Sequence, residues 1–403
     1  MVEFNLLNKL IKGFRMKKLA LIGMLSSIVA SSLMAETVTK AADGLGDFLI
    51  APYYQAKSNV CSEIRVTNTN EKASILAKVA FREQISSQEV DLPIFLSPGD
   101  VWSGTVCQNN GEVILKSNDD SNHPAARAIL KVGKNLERQS IKAGHKNVDF
   151  TSGYVEVYPI AEFKENTKTK IEKSKLVKRW DNLINGNTNL PNLRTNGVDG
   201  NSLTGEVLFK NGYNAPVTAT EKMVAFKGTH EKQLSGSIIN YGNDTAPDIL
   251  LGIDKKQELL KIMQHSTAAF TYDNRGEDQY IVFTYPFTYK EDQVRRYKVV
   301  VRDMEENKDV KQEIVIFSPA PVKKSKTMLN EVAVLSVSDI IAQTSNPKAF
   351  KKGQIQIQDI TNMTDEQLGS NKNASFIATY IRIGTDLKGQ QVVVDTENVI
   401  TKK

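Results

Sequence analysis

Cys61 and Cys107 are the only two thiols in the chain, and their spacing limits what they can do. A metal or redox pair would need C-x-x-C spacing or histidines close by, and neither is present. In an oxidising compartment such a pair is a structural disulfide, which restricts the unfolded chain by about 3–4 kcal/mol. The four histidines, His123, His145, His230 and His265, are scattered. His230-Glu231 supplies the first two residues of a zinc-protease helix, but the second histidine would fall at 234, where Leu234 stands. G-x-S-x-G is absent, S-x-x-K lacks its partner motifs, and no cysteine–histidine nucleophile context exists. Each histidine therefore reads as a surface or hydrogen-bonded residue.

Two oxygen-rich segments, Asp119-Asp120 and Asn196 to Asp199, have the donor atoms for calcium but not the spacing of a calcium loop. Neither a metal nor another cofactor is expected. Between residues 164 and 180 lie seven basic residues: Lys164, Lys168, Lys170, Lys173, Lys175, Lys178 and Arg179. Lys168, Lys170, Lys173, Lys175, Lys178 and Arg179, interleaved with Ile171, Leu176, Val177 and Trp180, are candidates for contact with a polyanionic lipid or polysaccharide surface. The plainer reading, a solvated connector, is the stronger one, because a charge run alone is weak support for a binding site.

Met16-Lys17-Lys18, the apolar run from Leu19 and the small residues ending at Ala35 have the order of a secretory signal peptide, with cleavage between Ala35 and Glu36. On this reading Met16 is the true start, residues 1–35 are leader, and no stable transmembrane span survives processing. Removing residues 1–35 lowers the formal charge from +6 to +2, so nothing in the remaining charge calls for nucleic acid. The expected setting is the periplasm or cell surface of a Gram-negative bacterium. Envelope or cell-surface components, or self-association, are the expected kinds of partner.

The elements that must position these residues are mostly strands. Ile75, Ala77, Val79 and Phe81 alternate with Lys78 and Arg82, the period of a half-buried strand. Phe48–Tyr54, Ile64–Thr67, Val90–Leu96, Val101–Cys107, Glu112–Leu115 and Gly153–Tyr158 continue the pattern, and Pro98-Gly99 marks a turn. Cys61 and Cys107 share parity with the polar side of their strands, which places their bridge on an edge or outer face. Further strands are read near 204–209, 216–226, 236–239, 279–285, 296–301, 310–317, 332–337, 353–360 and 375–383, those at 279–285 and 296–301 as a pair joined by Glu291-Asp292. Asp254 with Gln257 caps one short helix. The chain is therefore all-β, with two immunoglobulin-like β-sandwich halves at 36–162 and 203–403 and a lysine- and asparagine-rich excursion over 163–202.

Several phrases occur together: Ile50–Tyr54, Val66–Thr69, Val79–Glu83 with Ser87–Val90, Phe95–Trp102, Gly205–Ala219 with its Asn-Gly turn, and Ile281–Pro286. This succession resembles an uncharacterised family of exported Gram-negative bacterial β-sandwich proteins, and Phe95–Trp102 is its most specific part. The resemblance implies an extracytoplasmic, mostly β architecture and assigns no activity. Taken with the missing catalytic motifs, it favours a non-enzymatic structural or interaction protein. A carbohydrate- or small-ligand-binding module would instead expose Tyr53, Tyr54, Tyr154 and Tyr158. A carboxylate hydrolase would require a perturbed acidic pair in a cleft.

Overall fold

The computed structural model describes residues 39–164 (Ser86 apart), 173–184 and 200–227. Beyond these it describes 267–273, 278–284, 293–304, 308–318, 332–342, 344, 346–348, 350–359, 377–385 and 391–399. Ala35, Glu36, Lys168, Lys170, His230, His265, the strand read at 236–239 and the helix read at Asp254 lie outside the described residues.

The chain is mostly β, and its described residues form four antiparallel sheets. One six-stranded sheet has the order β1 (Thr39–Lys40), β12 (Val224–Lys227), β2 (Phe48–Gln55), β9 (Ser152–Lys164), β4 (Ala73–Glu83) and β5 (Glu89–Leu96). Facing it is a second, β11 (Val217–Lys222), β10 (Leu203–Lys210), β3 (Cys61–Asn68), β6 (Val101–Asn109), β7 (Glu112–Lys116) and β8 (Lys134–Asn135). Alternation sets which side chains fill the space between them. Ile75, Ala77, Val79 and Phe81 meet Ile64, Val66, Trp102, Leu115, Val207 and Phe209 in one core. Trp102 is fully buried there, and its indole N–H donates to Asn122 Oδ1 at 2.8 Å. A Trp ring in a core needs such a partner for its one polar atom.

Two four-stranded sheets follow. One is β13 (Thr267–Asp273), β18 (Lys352–Asp359), β15 (Gln293–Asp303) and β16 (Lys308–Ser318). The other is β17 (Val332–Ser336), β14 (Asp278–Thr284), β19 (Ile377–Thr385) and β20 (Gln391–Val399). Ile281, Phe283, Ala378 and Tyr380 face Phe270, Val299, Val301, Ile355 and Ile357 in a separate core. Val282, Ile381 and Val393, on the opposite face of the same sheet, belong to the first core. The β17–β14–β19–β20 sheet is thus buried on both faces, which is why Ile281-Val282-Phe283 is apolar without alternation. Val332 N–H donates to Gln84 O at 3.1 Å, and Thr284 Oγ1 donates to Pro52 O.

Three expectations change. Residues 203–227 belong with the N-terminal strands, since β10 pairs with β3 and β12 with β2. Composition cannot reveal pairing across so many residues. β14 and β15 are not partners: β14 pairs with β17 and β19, and β15 with β16 and β18. The described residues also hold four helices where one, elsewhere, was expected: α1 (Pro124–Val132), α2 (Leu136–Lys142), α3 (Lys173–Ile184) and α4 (Val337–Ala342). His123 caps α1, its Nδ1 accepting from Ala125 N–H, and Pro124 occupies the first turn, where its missing N–H costs nothing.

Candidate functional site

Ser62 pairs with Val106 across β3 and β6, so Cys61 and Cys107 stand directly opposite each other. Their Cα atoms are 4.5 Å apart and their sulfurs are joined. The bridge therefore lies within one sheet, on its outer face, unlike a core disulfide that ties two sheets together. Three turns rise around it. Val60 N–H donates to Lys57 O in the first, with Ser58 at φ 58°. Asn110 and Gly111, both with positive φ, join β6 to β7. Ala215 N–H donates to Gly212 O in the third.

The turns enclose an open pocket of about 320 Å³ floored by the disulfide and lined by Ser58, Asn59, Gln108, Asn109, Lys116, Asn211, Gly212 and Tyr213. Tyr213 donates its hydroxyl to Ile114 O at 2.7 Å, and burial pushes the phenol up to about 12. Lys116 Nζ stands 4.5 Å over the centre of the Tyr213 ring, a cation–π contact. The Lys116 stem passes Gly133, where a Cβ would lie 3.4 Å from Lys116 and 2.4 Å from Ile114. With φ at +134° as well, this position tolerates only glycine. Among the described residues Lys116 has no carboxylate partner.

Beside the pocket the same face carries a ladder of opposite charges. Glu63 accepts from Arg65 at 2.6 Å and from Lys210 at 2.7 Å, while Lys222 reaches Glu206 at 2.8 Å. Desolvation alone would raise the Glu63 carboxyl, but the bonds from Lys210 and Arg65 outweigh it and hold the group below its ordinary value.

The outer face of the other large sheet sorts its charges differently. Arg82 Nε lies 2.5 Å from Glu156 and Arg82 Nη2 2.7 Å from Glu89, while Lys78 reaches Glu89 at 3.0 Å and also Asp91. Tyr158 donates to Glu156 as well. Burial raises the Glu156 carboxyl, against the opposing pull of Arg82. The Glu156 carboxylate is perturbed, but it is sealed against Arg82 and not in a cleft, so the arrangement is that of a structural network.

The remaining candidates from sequence fall as follows. Tyr53, Tyr54, Tyr154 and Tyr158 are all buried and cannot offer stacking faces to a ligand. Asp120 takes the Lys173 ammonium at 2.5 Å and Asp100 takes it at 2.8 Å, so this acidic corner is filled by the protein's own cation. Desolvation would lower the Lys173 ammonium, but Asp100 and Asp120 raise it overall. Asp119 is committed to the N–H groups of Ser121 and Ser103. Lys173 is therefore an anchor for α3, whose Leu176 is buried, and not a free polyanion contact. Lys175 and Lys178 are exposed on that helix, and Arg179 lies within it. His123 Nε2 meets Asp181 at 3.0 Å, and His145 meets Ser140 at 2.9 Å. Among the described residues no group of three or more His, Cys, Asp or Glu is placed to hold a metal. No described helix is long and apolar enough to cross a membrane.

Lys116 and Tyr213 carry no motif, because the pocket is assembled from turns far apart in the chain. Only the Asn211-Gly212 turn signal pointed there. The chain matches no protein-family model, no curated protein and no solved structure.

Proposed function

We propose that this chain is an exported, non-enzymatic interaction protein of the bacterial periplasm or cell surface, which recognises its partner through the outer face of the β10–β3–β6–β7 sheet. The observation that carries the reading is the Cys61–Cys107 bridge, set cross-strand on that face. Disulfides persist in oxidising compartments and are rare where thiols are kept reduced. The sorting of charge supports the choice of face. The ions of the opposite sheet are consumed inside the fold, whereas Arg65, Glu206 and Lys222 remain accessible to a partner. The test is fractionation of the native organism, then capture of envelope components by the mature protein and by a charge-reversed Arg65→Glu variant. Retention in the cytoplasm with two free thiols would overturn the assignment. Equal capture by both proteins would move the recognition surface elsewhere.

A second reading, binding of a carbohydrate or small ligand, is favoured by one observation, the open polar pocket over the bridge.

A further inference from the structure

We propose that the pocket over the Cys61–Cys107 bridge binds a singly negative, polyhydroxylated ring: a uronic acid, either free or as a residue of an acidic polysaccharide. This rests on the small-ligand reading above and names its ligand class.

Charge comes first. The lining holds one cation, Lys116, and no carboxylate. A cationic or zwitterionic ligand would find no counter-charge there. A phosphate, with two charges on one group, would want several cations or a forked guanidinium, which the lining lacks. One ammonium fits one carboxylate. Lys116 is also held in place, its ammonium over the Tyr213 ring, so less side-chain freedom is lost when an anion arrives.

The other walls suit hydroxyl groups. Asn59, Gln108 and Asn109 line the pocket, and each amide carries both a donor and an acceptor. Vicinal hydroxyls likewise donate and accept, whereas a simple carboxylate would leave the acceptors without partners. The floor is a disulfide, polarisable and without strong hydrogen-bonding groups, which suits the C–H face of a sugar ring. At about 320 Å³ the space is at the small end of ligand pockets, roughly 300–1,000 Å³, and holds one ring with some water. The turns that make the rim are fixed by their own backbone hydrogen bonds, so the site exists before the ligand arrives.

The experiment is calorimetric titration of the oxidised mature protein with D-glucuronate, D-glucose, acetate and trigalacturonate, repeated on Lys116→Gln and Lys116→Arg. Glucuronate should bind at least about tenfold more tightly than glucose or acetate, the worth of one charge-assisted hydrogen bond. Lys116→Gln should remove that margin, and Lys116→Arg should keep most of it. The side-chain amide resonances of Gln108 and Asn109 should shift on addition of glucuronate. Tighter binding of trigalacturonate would identify a polysaccharide as the source, and equal binding a free sugar. Glucuronate no tighter than acetate would reduce the pocket to an anion site and overturn the proposal. So would binding that Lys116→Gln leaves unchanged, or no binding of either uronate. In the last case, envelope capture lost in Arg65→Glu would leave the recognition face standing, and capture unaffected by that change would remove both.

Discussion

On β4 and β9 the outward row holds Arg82 and Glu156, with side chains 3% and 0% exposed, whereas on β3 and β10 the outward Arg65 and Glu206 are 40% and 24% exposed. The residue types and their strand parity are alike. What differs is how far water reaches, and that changes the energetic stakes. A charge pair open to solvent contributes about 0–1 kcal/mol, while removing one partner of a buried pair strands the other in a low dielectric. The first face is a fixed part of the fold, and the second is free to meet a partner.

The sharpest way to break this contrast is Arg82→Met, which leaves Glu156 and Glu89 buried without their guanidinium. Urea unfolding should show a loss of about 3–5 kcal/mol. A loss below about 1 kcal/mol would mean that water reaches this face and the two faces are equivalent. Next in size is the bridge on the open face. Replacing Cys61 and Cys107 together by Ser should cost about 2–4 kcal/mol by restoring freedom to the unfolded chain. A lowered melting temperature, with uronate binding weakened as the pocket loses its disulfide floor, is the expected outcome.

Glu63→Gln should cost about 1–2 kcal/mol at neutral pH, because Lys210 and Arg65 lose the charge they donate to in a largely buried setting. The folded Glu63 carboxyl titrates below the ordinary 4.5, so its contribution is present above that value and disappears as pH falls through the lower folded value. Melting curves of the two proteins should therefore converge in acid. The smallest effect is expected from Lys173→Met, a few tenths of a kcal/mol in stability. Trypsin should then cut faster at Lys175 and Lys178 as α3 loses its anchor. The raised Lys173 ammonium places the natural loss of that anchor on the alkaline side, above its ordinary 10.5.

Much of this was legible in the residues. Two cysteines and a missing C-x-x-C pointed to the bridge, and their parity with polar neighbours placed it on an edge or outer face. Alternation from Ile75 to Phe81 located β4 and its core side. The same alternation assigned Lys78 and Arg82 to solvent, because the period of a strand says which side a residue faces but not what covers that side. α1 was missed because histidine is an unusual cap, although Pro124 was a usable signal. α3 was hidden by its lysines: Leu176 is the one apolar residue described as buried there, and Lys173 is held by acids more than fifty residues earlier in the chain. The pocket could not be read, since no local pattern links Asn59, Lys116 and Tyr213.

β10 and β12 complete the two large sheets, pairing with β3 and β2 at separations well over a hundred residues. One sheet cannot be completed until residue 222 has been made and the other until residue 227, and contacts this distant slow folding because loop entropy is lost before pairing repays it. In a chain exported as proposed, that delay is an advantage. On that reading the segment from 39 onward would stay threadable while crossing the membrane, and would become compact only once its closing strands had followed it to the side where the bridge can form.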